Sequence, residues 1–386
     1  MTLRWPAVLT CASLLLAQRA AVEDAWDLMA RGDRKQAVAL LRRIIQGNPA
    51  DADARLLLGS VLQEEGERAE SIAQLSEAVR LRPQSAEAHN ALGEALYSFK
   101  EIQPARAEFE KATLAEPGFA QAHVNLGLVL LESGEPPRAA EHLDRAIALL
   151  GRTPDSAYPR YLRAKAYAEA GEIEKAAAEL KEAVTLRPDF VEAWSDLGQA
   201  RKLLLDDAGA LSAFERAVAL GAGDAVAQYR LGSEYLRQGK PRLAIPHLQT
   251  ALRLRPEDQS TLNSLQAALR QEGRVQEADQ VKQKLSELLR RRDKVRQNAL
   301  TAIQLNNEGA QLEKSGRLRS ALEKYRAALE LDPEHVGIRV NFAAALLHTG
   351  KWRQGIAELR EAVRRDPGNL KLKQTLEAAI AKAPKQ

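Results

Sequence analysis

Prolines recur along this chain at a fixed interval. Pro49, Pro83 and Pro117 stand 34 residues apart, Pro188 and Pro256 stand 68 apart (twice that), and Pro333 and Pro367 return to 34. Gly59, Gly93 and Gly127 keep the same beat, as do Gly198 and Gly232. So do Ala78, Ala112 and Ala146 in one row and Ala183, Ala217 and Ala251 in another. Three residue classes sharing one period define a repeat array, in which each unit is too small to bury its own apolar face and must stack on its neighbours.

Within one period the pattern is helical. Residues 52–65 (ADARLLLGSVLQEE) and 69–82 (AESIAQLSEAVRLR) read as two helices separated at Gly66. Glycine closes the first helix because it takes the left-handed conformation at little cost. Pro83 stops the second, since it lacks an N–H and its ring clashes with the preceding turn. Leu58 and Leu62 lie one turn apart, as do Leu75 and Val79, so each helix carries an apolar stripe. Gly59, Ser71 and Ala78 are small where the two helices must approach closely. Composition agrees: 45% apolar and 28% charged but only 4% aromatic residues suit helix far better than strand.

These residues resemble the tetratricopeptide repeat, with its row W-x-x-L-G-x-x-Y, A-x-x-x-F, A and P. His89-Asn90-Ala91-Leu92-Gly93 with Ala105, Phe109, Ala112 and Pro117 matches it, and so does Trp194-Ser195-Asp196-Leu197-Gly198 with Ala210, Phe214 and Ala217. The register gives about ten units, starting at Gln18, Ala52, Ala86, Ala120, Ala157, Val191, Ala225, Gln259, Ala302 and Val336. The resemblance implies an all-α fold, a right-handed α-solenoid of stacked helix-turn-helix repeats.

The beat is interrupted twice. Gly151–Ser156 shifts the phase by three residues, predicting a longer turn. No glycine or proline occurs between Arg274 and Gly309, so the helix beginning at Val275 is expected to run past Arg292 into the ninth unit. The expected organisation is an array over 18–292 with degenerate first and last units, a linking helix at 293–301, a repeat pair at 302–369, and a capping helix and tail at 370–386.

Catalytic signatures are absent from the sequence. Gly221-Ala222-Gly223-Asp224 lacks the third glycine and the strand of a phosphate loop. The six histidines (His89, His123, His142, His247, His335 and His348) show no metal-ligand spacing; His89 and His123 fill the bulky aromatic slot of their repeats. The single cysteine, Cys11, allows neither an intrachain disulfide nor a cysteine zinc site. The many glutamates read as solvated surface. No enzyme activity, cofactor, metal or small-molecule substrate is expected.

The resemblance instead implies a protein or peptide ligand held on the concave face, lined by the second, fifth, ninth, twelfth and thirteenth places of each unit. Those places supply Asn90, Tyr97, Val124, Leu128, Leu131, Tyr158, Tyr161, Tyr229 and Leu236 as candidate contacts. Asn125, Asn307 and Asn341 occupy the sixth place, similar to the asparagine ladder of some relatives, but other units break it. The alternatives are a regulatory or substrate-presenting array in an enzyme complex, such as one serving a glycosyltransferase, and a nucleic-acid or ribonucleoprotein binder. The last would use Lys282–Arg296, which is rich in basic residues but has no aromatic residues to stack bases. A formal charge of +4, from 56 basic and 52 acidic residues, argues against nucleic acid.

Finally, Met1–Pro6 carries Arg4, and residues 7–17 (AVLTCASLLLA) are uncharged and mostly apolar. This resembles a secretory signal peptide over 1–17, too short to span a bilayer, with cleavage after Ala17 despite Leu15 in place of a small residue. Export to a periplasmic or extracellular site is the expectation; the alternatives are a cytoplasmic protein with an extra N-terminal helix and a lipid anchor at Cys11. The mature N-terminal residue distinguishes them.

Overall fold

The computed structural model describes residues 20–384; the leader at 1–17 and the first unit's start at Gln18 lie outside them. The described residues are all-helical, and they divide into two compact units, one ending at Arg255 and one starting at Pro256.

The first unit opens with α1 (20–30) and α2 (Arg34–Gly47). Then come α3 (Ala52–Glu64) with α4 (Arg68–Leu81), α5 (Ala86–Ser98) with α6 (Ile102–Ala115), and α7 (Ala120–Glu132) with α8 (Pro136–Leu150). It closes with α9 (Ala157–Glu169) and α10 (Ile173–Leu186), α11 (Val191–Leu203) and α12 (Asp207–Leu220), and α13 (Ala225–Arg237) and α14 (Pro241–Leu254). Each pair folds on itself, and each second helix packs on the next first helix, which makes an α-solenoid. From α3 to α13 the first helices begin where the repeat register places them.

Each hairpin turn takes one residue at positive φ. Gly66, Gly134, Gly171 and Gly239 adopt φ between 69° and 79°, and Lys100 and Leu205 accept 66° and 64° in the same place. There the chain reverses through a carbonyl-capping pattern, with Gly66 N donating to Gln63 O at 3.0 Å and Glu67 N to Leu62 O at 2.9 Å.

The eighth place of the first helix packs against a large residue of the second. A Cβ on Gly93 would sit 2.5 Å from the Phe109 ring, one on Gly198 2.5 Å from Phe214, and one on Gly127 2.7 Å from Leu143. Where the partner is Leu180 the eighth place holds a buried alanine, Ala164. Beside the small pair, Ser71 Oγ donates to Gly59 O at 2.8 Å, so even the buried hydroxyl is satisfied.

In α3, α5, α7, α11 and α13 a polar clasp fixes the repeat to the turn before it. The fourth residue of the first helix donates to the backbone carbonyl six positions earlier: Arg55 to Pro49 at 2.9 Å, His89 to Pro83 at 3.1 Å, His123 to Pro117 at 3.2 Å, Trp194 to Pro188 at 3.0 Å and Gln228 to Ala222 at 3.0 Å. These carbonyls lie just past a helix end, where no intrahelical donor remains. Most of the same side chains also meet the residue nineteen positions on: Arg55 with Gln74 at 2.7 Å, His89 with Glu108 at 2.6 Å, His123 with His142 at 3.0 Å and Gln228 with His247 at 2.8 Å. His89 and His123 therefore act through directed hydrogen bonds as well as through bulk.

The irregular turn is where the phase slip predicts it. Gly151 has φ 66°, Pro154–Ser156 form a single 3-10 turn, and buried Ser156 closes it by donating to Thr153 O at 2.8 Å. With no helix-stop proline there, Arg160 in the fourth place keeps only its partner on the second helix, Glu179, at 3.1 Å.

The second unit contains α15 (Gln259–Gln271), α16 (Val275–Lys314), α17 (Leu318–Leu331), α18 (Val336–His348), α19 (Trp352–Arg365) and α20 (Leu370–Lys382). Helix α16 is one unbroken 40-residue rod. Its N-terminal part packs on α15 through buried Ala278, Leu285 and Leu288, and its C-terminal part packs on α17 through Ala302 and Gly309. Arg339 of α18 repeats the clasp, donating to Pro333 O at 2.6 Å and to Glu358 at 2.5 Å. Helix α20 lays Leu372, Leu376 and Ala379 on the last pair.

Candidate functional site

The first helices of the first unit stand side by side, α3 on α5, α5 on α7 and α7 on α9, and present one face in common. Their fifth, sixth, ninth and twelfth places converge there, and neighbouring repeats bond across that face. Asn125 Nδ2 donates to Asn90 Oδ1 at 2.9 Å and to Glu94 at 2.8 Å, while Asn90 itself donates to Glu94 at 3.0 Å. Asn90 is buried and Asn125 half-buried, so the amides are spent on holding α7 to α5. The second unit repeats the device, Asn341 donating to Asn306 Oδ1 at 2.9 Å. Farther along, Arg230 of α13 bonds Asp196 at 2.6 Å and Ser195 at 2.8 Å on α11.

Aromatic residues gather in the middle of this face. The Tyr158 and Tyr161 rings stack at 6.3 Å, and Phe190 lies 4.9 Å from Tyr161 and 6.5 Å from Tyr158. The Arg187 guanidinium sits 3.9 Å from the Phe190 ring, a cation–π contact that fixes the far side of the cluster. Tyr158 is the open member, 38% exposed. Burial first, and then the Asp196 carboxylate that accepts its hydrogen bond, push the Tyr161 phenol well above the usual range. Tyr97 behaves likewise through burial and Glu132, to which it donates at 2.5 Å. Both phenols therefore stay protonated and serve as donors.

Two clefts flank the cluster. One of about 230 Å³ lies between α5 and α7 and is lined by Tyr97, Asn125 and Leu128 among others. The other, of about 220 Å³ and largely apolar, lies between α9 and α11 over Ile173 and Leu180 of α10, with Lys165 and Asp196 at its walls. A wider groove of about 750 Å³ runs over α3 and α5, where Leu56, Ser60 and Ala91 are set among Asp53, Glu87 and Glu94. Arg82 reaches into it and holds Asp53 through two nitrogens at 2.5 and 2.7 Å.

Three of the expected contacts are corrected. Val124 and Leu131 are only 3% and 7% exposed and belong to the core, and Asn90, 6% exposed, is spent on Asn125 and Glu94. Tyr229 and Leu236 are half-buried on α13 and stand apart from the aromatic cluster. Not every glutamate is solvated surface: Glu94 is half-buried and accepts from Asn90 and Asn125, and Glu234 is fully buried. The exposed Glu132 and the half-buried Asp196 also bond residues of this face. Burial opposes ionisation of Glu234, but hydrogen bonds from Arg237 and Gln238 outweigh it and hold its carboxyl below the usual range. Phe190 was missed because it precedes the helix start and has no place number in the repeat.

The His123–His142 pair, on the opposite side of α7, gives the protein a pH dependence. His123 donates through Nε2 to Pro117 O, so its Nδ1 must accept from His142 Nδ1. Burial lowers both pKa values, and for His142 the proximity of His123 adds to it; burial lowers His247 as well. The unfolded chain thus binds these protons more readily, and stability is lost as pH falls through the ordinary histidine value, by up to about 1.4 kcal/mol per pH unit for each group. Melting between pH 7.5 and 5.5 is expected to show that fall. His123→Gln, which copies the native Gln228–His247 pair, removes one of the three groups and the effect of His123 on His142, and should make the fall shallower; an unchanged slope refutes the assignment.

Models of the tetratricopeptide repeat match residues 28–95, 101–157, 229–281 and 312–384, and a TPR repeat model matches 164–204. A TPR repeat-containing protein of Pseudomonas aeruginosa is 37% identical over 74 residues, covering 19% of this chain and 70% of that protein. Among solved structures, a tetratricopeptide repeat protein from Parabacteroides merdae superposes with TM-score 0.51 at 14% identity, over 66% of this chain and 99% of that one. Pseudomonas aeruginosa pilF gives 0.49 at 23% identity, over 55% and 95%. The chain belongs to the tetratricopeptide repeat family. That is a class of helical arrays which in general act as protein-interaction scaffolds.

Proposed function

We propose that the protein is a non-catalytic scaffold that holds a peptide segment of a protein partner along the shared face of its first unit. The observation that carries this reading is the Tyr97–Tyr158–Tyr161–Phe190 group. It puts an accessible aromatic ring beside protonated phenols and fixed carboxylates, with apolar clefts on either side. Aromatic anchors with satisfied polar neighbours concentrate binding energy at protein interfaces, whereas scattered exposed aliphatics do not. Glu132, Asp196 and Arg187 around the rings leave donors and acceptors for a peptide backbone.

The test places a photo-crosslinking residue at Tyr158 and, as control, at Lys111 on the opposite surface. A partner protein joined from the first site only, with affinity lost about tenfold or more in Tyr158→Ala and kept in Tyr158→Phe, is the expected result. Equal capture from both sites, or full binding by Tyr158→Ala, removes the groove from the reading.

A further inference from the structure

The two helix layers of the first unit differ in charge. Over the first four repeats the first helices, α1, α3, α5 and α7, carry eight carboxylates and a single lysine or arginine, Arg55, which is occupied by Pro49 O and Gln74. The second helices of the same repeats, α2, α4, α6 and α8, carry ten such basic residues against six acids. In α9, α11 and α13 the first-helix balance reverses, to seven basic residues against four acids. The whole chain has a formal charge of +4, so this acidic layer is a local feature and not a consequence of composition.

The wide groove over α3 and α5 gathers that charge. Glu23, Asp51, Asp53, Glu87 and Glu94 line it, and Arg82, the basic residue in its walls, is spent on Asp53. Glu87 is exposed and forms no hydrogen bond or ion pair among the described residues. Glu94 is held by neutral groups: Asn90 and Asn125 both donate to its Oε1, and Oε2 accepts nothing among the described residues. Its charge is therefore fixed in place without being cancelled.

Trp26 of α1 lines the same groove, 59% exposed, with no ring or cation stacked on its indole among the described residues. An open indole and uncancelled carboxylates are the groups that hold a guanidinium or ammonium, the ring through its face and the acids through charge-assisted hydrogen bonds. Leu56 and Ala91 between them offer apolar surface to the stems of such side chains. Glu87 and Glu94 stand two turns apart on α5, about 10 Å, which three residues of extended chain also span. Phosphates of nucleic acid or lipid would meet carboxylates of their own sign. Among the described residues no three acids are placed to share a metal ion.

We propose that the groove over α3 and α5 receives an extended basic segment of the protein partner, with arginine or lysine at every third place and its cations on Trp26, Glu87 and Glu94. This rests on the shared face holding a peptide, as proposed above, and specifies that peptide's charge.

The experiment uses the full chain and two short labelled peptides, one with arginine at every third place among glycine, serine and leucine, the other with glutamate for arginine. Fluorescence anisotropy is expected to show saturable binding of the arginine peptide alone, weakening as salt rises. Trp26→Ala should weaken it about tenfold or more. So should Glu87→Gln with Glu94→Gln, in which the new amide oxygen on α5 still accepts from Asn90 and Asn125. Glu70→Gln with Glu77→Gln, which removes the same charge from α4, should leave the affinity unchanged. Circular dichroism and the melting temperature of the Trp26 variant stay at the parent's values, because that ring is exposed. Equal binding of the glutamate peptide overturns the proposal, as does no binding of the arginine peptide at millimolar concentration. Equal losses from the α4 and α5 variants also overturn it, since the attraction is then unspecific. A partner crosslinked at Tyr158 whose bound segment lacks basic residues overturns it too, yet leaves the shared face as a peptide groove. Self-association that the α5 variant abolishes, without binding of the arginine peptide, gives the groove to a second copy instead.

Discussion

Gly93→Ala is expected to destabilise the first unit by about 1–3 kcal/mol, although alanine is the better helix former by about 1 kcal/mol. The new methyl would sit 2.5 Å from Phe109 Cε1 and 2.7 Å from Cδ1. The ring cannot retreat, since it is 1% exposed and packed on every side. Phe109→Ala, the opposite error, should cost about 3–5 kcal/mol through the cavity it leaves. The informative variant is the double one. Ala164 opposite Leu180 and Ala343 opposite Leu359 are native, buried solutions to the same contact, so Gly93→Ala with Phe109→Leu installs a pair the chain already uses. It should recover most of the loss, with a coupling of about 1 kcal/mol or more in a double-mutant cycle. Thermal melts and hydrogen exchange across α5 and α6 measure both; strictly additive effects would mean the two places do not share one packing site.

The second large effect concerns α16. Asp293→Pro places a ring against the Leu289 carbonyl and deletes a hydrogen bond in the middle of the rod, at about 3 kcal/mol. Nothing packed on residues 290–297 compensates. The outer parts, fastened to α15 and α17, should hold. Trypsin cleavage after Arg290, Arg291, Lys294 and Arg296 is therefore expected to accelerate tenfold or more, while Asp293→Ala remains close to the parent. Parent and proline variant cut at the same rate would show that the rod is already open there in solution.

How far the sequence alone reaches follows from what each residue is asked to do. Gly93, Ala112 and Pro117 meet steric demands that only one or two residue types satisfy, so the helix register from Ala52 onward was readable from spacing. The missing breakers between Arg274 and Gly309 likewise pointed to a helix running on past Arg292. The division at Arg255 was not readable, because the beat passes through Pro256 without a slip. Burial of Val124 and Leu131 was hidden for another reason: whether a place on a helix sees solvent depends on side chains one repeat away. Glu94 and Asp196 escaped because a carboxylate on a helix looks the same in sequence whether it is solvated or holds an asparagine, an arginine or a tyrosine.

The fourth-place clasp carries a consequence for how such chains are read. Arginine, histidine, tryptophan and glutamine all deliver a proton to the same kind of carbonyl, at 2.6 to 3.2 Å. They are chemical synonyms: the grammar of the repeat at that place specifies a long side chain with an N–H at its tip and leaves the spelling free. A profile that scores letters sees noise at these six places, while the backbone reads one word in all six.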